Sequence, residues 1–319
     1  MHRVRVWRFI HLVVPFAALL AGCGRHHPLS GAPGATGSHV ASDDSLSAAI
    51  SRRVAAVPGA VAGVYYRAVD VPGDSVSVNA DASFHAASTM KIPVMIQVYR
   101  DAEAGRLSLS QAVVVRNQFA SIVDGSPYAL DPKDDSDSGM YDVAGHTMTV
   151  HDLMLRMIQR SSNLATNTVI GLVSAARADS TAHALGATHI RVLRGVEDGK
   201  AFDRGLNNTV TARDLGALLL AIQQDRAATP ADCAAMRDVL FGQEFNAEIP
   251  AGLPRGTRVA HKTGQITGVL HDAALVYPAK APPYVLVVLT SGIPDERVAR
   301  AMIVDISRMV YAHFIGGGR

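Results

Sequence analysis

Three short sets of residues in this 319-residue chain carry groups that could act together on a carbonyl carbon. The first is Ser88-Thr89-Met90-Lys91. A serine hydroxyl is a weak nucleophile at its free pKa and needs a neighbouring base. A lysine three residues on along a helix shares the serine's face. It can serve as that base when burial or a second cation favours the neutral amine. A helix N-terminus at Ser88 also offers backbone N–H groups to a developing oxyanion. The second set is Ser161-Ser162-Asn163, with a hydroxyl that can relay a proton and an amide that can grip a carbonyl. The third is Lys262-Thr263-Gly264, inside RVAHKTGQITGV. Its cation and hydroxyl suit a carboxylate, and its glycine lets a substrate backbone lie against a strand edge. Taken singly, each set also has an ordinary explanation: a helix start, a helix cap, a strand end with a surface lysine.

Other chemistries are less well supported. His271-Asp272 invites a serine–histidine–aspartate reading, but neighbours in a strand face opposite sides, and no Gly-x-Ser-x-Gly elbow is present. The run DPKDDSDSG brings Asp131, Asp134, Asp135 and Asp137 together but lacks the glycine and terminal glutamate spacing of a calcium loop. It reads as a solvated acidic loop in a segment, 120–146, long enough to rim a cleft. His26 and His27 lie in a polar linker and H-E-x-x-H is absent, so neither metal nor cofactor is expected. Cys233, in ADCAAMRDVL, reads as a small core residue.

The elements that must position these groups follow from periodicity. Leu46, Ile50, Val54 and Val57 recur at helical spacing. Gly63–Tyr66, the turn Pro72-Gly73-Asp74 and Val76-Ser77-Val78 read as a β-hairpin. Helices are expected at about 88–104, 149–159, 163–175, 211–225 and 230–241, with Thr211 and Asp214 marking a capped start. Strands near 257–263, 269–277 and 284–290 precede a helix from Asp295 to Phe314. The expected fold class is α/β, in the α+β sense: an antiparallel sheet lobe built from both chain ends, an inserted all-helical lobe, and a cleft between them.

Hydrophobic residues make up 48% of the chain and charged ones 18%, which excludes disorder over most of its length. The first 22 residues carry Arg3, Arg5 and Arg8, then the apolar Leu12–Leu20, and no acid. That apolar stretch is too short to span a bilayer. Without those 22 residues, 27 basic residues face 28 acidic ones, a net charge of −1, so nucleic-acid binding loses its compositional support. Leu20-Ala21-Gly22-Cys23 resembles a bacterial lipobox, which makes 1–22 a lipoprotein signal peptide and Cys23 the lipidated residue. Residues 23–44 then form the lipidated end and a flexible linker, and 45–319 the folded domain. The protein is expected to be exported and anchored by lipid, facing the periplasm or cell surface. Gly24, rather than aspartate, after the cysteine fits outer-membrane sorting in a Gram-negative host.

The three sets in this order resemble the signature of class A serine β-lactamases and penicillin-binding proteins. FHAASTMKIPV is similar to the family's nucleophile helix, TVHDLMLRMIQRSSNLATN to the helix leading into the second motif, with Asn167 at a recurrent position, and LPRGTRVAHKTG to the approach to the third. The likeness runs over roughly residues 45–315. It implies a β-lactamase/transpeptidase-like fold and an acyl-enzyme on Ser88. Lys91 would be its general base or hydrogen-bond partner, Ser161 the proton relay to the leaving nitrogen, and Asn163, Lys262, Thr263 and Gly264 the substrate-binding residues. The oxyanion hole would use the N–H groups of Ser88 and Gln265. The water-activating glutamate on the family's omega loop is expected within about one residue of Glu197, which Asp198 follows, but the asparagine usually four residues later is Ala201 here, and the loop carries Asn207 and Asn208 instead. Glu197 is also open to a plainer role as a loop acid paired with Arg194 or Arg204. Ser162 replaces the aspartate common in the second motif. Three activities remain open: a β-lactamase, a D-alanyl-D-alanine peptidase or esterase, and a penicillin-binding sensor that does not turn over. The expected partner is a small β-lactam or D-Ala-D-Ala-like substrate met by a monomer.

Overall fold

Every interior residue of two late strands is buried, the mark of strands covered on both faces. The computed structural model that contains them describes residues 40–317, with side chains from Ser45 onward. The expected leader 1–22, Cys23 and nearly all of the linker lie outside the described residues.

The chain opens with α1 (Val40–Ala55), β1 (Val61–Ala68) and β2 (Ser75–Val78). Then come β3 (Phe84–His85), a 3-10 turn over Ala87–Met90, and α2 (Lys91–Glu103). Four short strands frame the polar segment: β4 (Ala112–Val114), β5 (Phe119–Ala120), β6 (Pro127–Tyr128) and β7 (Thr147–Thr149). The helical middle holds α3 (Val150–Gln159), α4 (Asn163–Val173), α5 (Ala175–Ala184) and α6 (Gly199–Asp203). After β8 (Thr209–Val210) it continues with α7 (Ala212–Gln223) and α8 (Pro230–Phe241). The chain returns to strands with β9 (Arg258–Ile266), β10 (Val269–Tyr277) and β11 (Tyr284–Ser291), closed by α9 (Glu296–Gly317).

The first and last strands join in one antiparallel sheet of order β2-β1-β11-β10-β9, the architecture expected from the sequence. Alternation assigns its faces. Val64, Tyr66, Leu286 and Val288 pack with Ile50, Met302, Ile303 and Val310 of α1 and α9. Tyr65, Val285, Val287 and Leu289 turn the other way, into the core of the helical lobe. That lobe is organised around α2, where every residue from Lys91 to Tyr99 is buried, as a helix enclosed on all sides must be. Its neighbours start at side-chain caps: Thr149 accepts from the Asp152 N–H, Ser162 from Ala165, Thr211 from Asp214 and Thr229 from Asp232.

Two boundaries depart from the sequence reading. The nucleophile region begins as a tight 3-10 turn, with Lys91 as the first residue of α2. The helix expected over 163–175 breaks at Ser174, whose φ of +67° is left-handed, and α5 continues on a new axis. For the site, the decisive fact is that β9 is an edge strand. One side pairs with β10, and Gly264 on the other passes beside the turn that carries Ser88.

Candidate active site

A cleft of about 840 Å³ is lined by Ser88, Ser161, Asn163, Thr263 and Gly264 together with the 133–136 stretch. The three motifs, dispersed over 177 positions of sequence from Ser88 to Gly264, therefore open into one space. Of segment 120–146, residues 133–136 line the cleft.

Ser88 follows Ala87, whose φ of +44° is a left-handed conformation that disfavours any residue with a side chain. Gly264 lies so close that a Cβ there would fall 3.1 Å from the Ser88 nitrogen and 3.1 Å from Thr89 Cγ2. A side chain at 264 would push the strand off the nucleophile, and this close approach is why glycine occupies the position.

Lys91 is fully buried. Its amine donates to the Ser161 carbonyl at 2.6 Å and to Asn163 Oδ1 at 3.0 Å, and lies 3.2 Å from Ser161 Oγ. These bonds, rather than the Ser88 contact expected from helical spacing, fix the amine. Burial pushes Lys91 down to about 7, against the opposing pull of Asp135 and Glu197. Lys262 is also fully buried and donates to Ser161 Oγ at 3.0 Å and to the Thr263 carbonyl at 2.8 Å. Burial, and then the neighbouring Lys91, hold it well below the usual lysine range. Two amines thus converge on one hydroxyl, and Ser161 adopts a left-handed φ of +58° to place it there.

Asn163 continues the chain of contacts. Its Oδ1 accepts from Lys91, and its Nδ2 donates to Glu197 Oε1 at 2.5 Å. Glu197 is an exposed residue and is itself left-handed, with φ +58°. The surroundings it turns into push its carboxyl above the usual range, by desolvation first and also by Asp134 and Asp135, while Asn163 and Lys91 oppose the shift. Asn167 pins the preceding residue from both sides: it accepts from the Val196 N–H at 2.7 Å and donates to the Val196 carbonyl at 3.0 Å.

The pairing of Glu197 with Arg194 is not found. Arg194 donates to the Leu206 and Gly195 carbonyls and to Asn207 Oδ1. Asn208 is spent on the backbone of Leu193 and Arg194. Neither asparagine stands in for the one missing at Ala201.

The acidic loop is only partly solvated, which corrects the sequence reading. Asp135 and Asp137 are buried. Asp135 Oδ2 accepts from the N–H groups of Asn163 and Leu164, at 2.9 and 3.0 Å, and from the Tyr141 hydroxyl at 3.1 Å. Its charge therefore sits at the N-terminus of α4. Asp137 pairs with Arg156 at 2.9 Å. The spacing of these aspartates gave no hint, because the helix start that Asp135 meets lies 28 residues further along.

Gln265 and Thr263 complete the β9 edge. Gln265 is exposed, its amide donating to Glu296 of α9 at 2.6 Å, while Thr263 is buried. His271 and Asp272 do point apart. His271 accepts from the Thr290 N–H and donates to the His85 carbonyl, and burial pushes it down to about 4. Asp272 accepts from His261 and from the Ile249 N–H on the other face.

A hydroxyl on a strained turn, two buried amines of depressed pKa and a carboxylate linked to them through an amide define a serine acyl-transfer site. Residues 45–314 match the sequence profile of the β-lactamase enzyme family, and the chain belongs to that family. It is a serine hydrolase of the β-lactamase type. A protein of Streptomyces fradiae described as "Beta-lactamase" is 25% identical over 251 residues, 75% of this chain and 76% of that protein. The structure of a PBP-A mutant, described as an acyl-enzyme complex with penicillin G, is 28% identical, with a TM-score of 0.73 over 86% of this chain and 97% of that one. A β-lactamase from Sphaerobacter thermophilus is 28% identical, with a TM-score of 0.70 over 84% and 96%.

Proposed function

We propose that this protein opens the β-lactam amide through an acyl-enzyme on Ser88 and releases it with a water activated by Glu197. The observation that carries this reading is the unbroken chain Lys262–Ser161–Lys91–Asn163–Glu197 beside the Ser88 turn. Near neutral pH a substantial fraction of Lys91 is the free amine, so it can take the Ser88 proton as Oγ bonds to the carbonyl carbon. The N–H groups of Ser88 and Gln265 receive the oxyanion. As the C–N bond breaks, Ser161 protonates the leaving nitrogen and recovers a proton from Lys91. Lys262 and Thr263 meet the substrate carboxylate, and Asn163 its side-chain amide. Glu197 then takes a proton from the water as its oxygen bonds to the ester carbon; the bond from that carbon to Ser88 Oγ breaks, and the proton returns from Glu197 to Oγ, which regenerates both residues. The likeness to a protein described as a penicillin G acyl-enzyme supports the first half of this sequence.

A second reading has its own support. Glu197 is exposed, and Ala201 offers no polar group to grip a water. A site that acylates well and deacylates slowly would serve as a D-Ala-D-Ala peptidase or a penicillin sensor. Intact-protein mass spectrometry after mixing with penicillin G separates the two. A transient adduct with rapid loss of antibiotic supports the lactamase; an adduct persisting on Ser88 overturns it in favour of the second reading. The lipobox-like Leu20–Cys23 supports an exported protein anchored through acylated Cys23. Radiolabelled palmitate should label the wild type and not Cys23→Ala, and labelling of both would remove that anchor.

A further inference from the structure

We propose that His85 is a positioning residue, in its neutral form only, for the turn that presents Ser88; this rests on the reading of Ser88 as nucleophile. Ala87 holds a left-handed φ of +44°, and such a conformation persists only where its surroundings over-determine it. Five hydrogen bonds do so. The Ala86 N–H donates to the Asn208 carbonyl at 2.9 Å. His271 Nε2 donates to the His85 carbonyl at 2.9 Å. The Ala87 N–H itself donates to His85 Nδ1 at 3.1 Å.

The first two bonds hold the chain up to Ala86. The third holds the N–H of the strained peptide, while the Thr89 N–H and hydroxyl hold its carbonyl, that of Ala86, at 3.1 and 2.6 Å; the next nitrogen, that of Ser88, lies beside Gly264 of β9. An imidazole Nδ1 accepts only when it carries no proton. Protonation places two donors face to face and removes the tie on Ala87. Three neighbours face the ring or its backbone. Arg194, from the loop before α6, adds a positive charge that together with burial lowers the His85 pKa. His271 of β10 is held neutral. Phe202 of α6 covers the ring edge-on, with 6.3 Å between centroids. Burial and the Arg194 charge both disfavour an imidazolium, so the neutral acceptor prevails at neutral pH.

The consequence is a second proton in the acid limb of acylation, separate from the one on Lys91. The test is stopped-flow acylation by a chromogenic cephalosporin across about pH 4.5 to 8, which brackets the ordinary histidine range. Wild type should fall more steeply than a single proton allows at the acid end. In His85→Asn the side-chain oxygen can still accept from Ala87 but does not titrate. This variant should recover most of the neutral-pH rate and follow a single-proton limb. His85→Leu should acylate about tenfold more slowly at neutral pH, the loss typical of one structural hydrogen bond. A single-proton limb in wild type overturns the proposal, as does a two-proton limb in His85→Asn or a wild-type rate in His85→Leu. If His85→Leu does not fold, the comparison of wild type with His85→Asn decides. Failure of the parent reading is seen separately, as an adduct that still forms on Ser88→Ala.

Discussion

The two ends of the catalytic chain are held very differently. Around Ser161, two buried amines, a left-handed backbone and a helix N-terminus capped by Asp135 leave little freedom. Around Glu197, an exposed residue, the carboxylate is tied by one amide, and its loop is anchored one residue away by Asn167. Low dielectric strengthens every bond at the first end, whereas solvent screens those at the second. The acylating half is thus built into the core, and the deacylating half is suspended at the rim. Modest changes in the loop should alter release without touching bond opening.

The largest expected effect tests whether the buried half acts as a unit. Ser88→Ala should abolish the penicillin G adduct seen by intact mass, and a remaining adduct would end the assignment. Glu197→Gln attacks the other half. Acylation should proceed while deacylation slows about 10²–10⁴-fold, the usual contribution of a general base, so the adduct accumulates. Unchanged release in this variant removes Glu197 from the mechanism.

The next comparison is in pH. Lys91 is shifted down to about 7, so it is charged below and neutral above that value. Acylation should lose at least about tenfold for each pH unit below about 7 and level off above it. Asp135 favours the charged form of Lys91, so Asp135→Asn should move this limb to lower pH. A limb that stays in place would show that Asp135 acts on α4 alone. The smallest effect falls on the rim. Asn167→Ala removes both bonds to Val196 and should slow release about tenfold with acylation preserved, as expected for one or two lost hydrogen bonds. Equal losses in both steps would mean that the two halves are not mechanically separate.

Much of the frame was legible because it follows from local rules. The capped starts at Thr211 and Asn163, the strands near 269–277 and 284–290, and the closing helix all follow periodicity and cap chemistry. What escaped was conformation that propensity does not encode. Ser174 reads as a helical residue but breaks the helix in a left-handed geometry, and Ser88 lies in a 3-10 turn rather than an α-helix. Asp135 reads as one acid among several in a polar run. Only packing brings it to a helix start in another part of the chain.

By itself, the sequence determined which groups are available and in what order: Ser88 and Lys91 three apart, Ser161 and Asn163 at a helix start, Lys262 to Gly264 on a strand. Spacing within an element is fixed by helix and strand geometry, yet the Ser88–Lys91 contact it implied gives way to bonds from Lys91 to Ser161 and Asn163. The tertiary structure decided what each group is. Lys91 and Lys262 are ordinary lysines in sequence and become depressed-pKa amines because the fold buries both against one hydroxyl. Desolvation and proximity are properties of the packed interior, and residue types alone do not carry them.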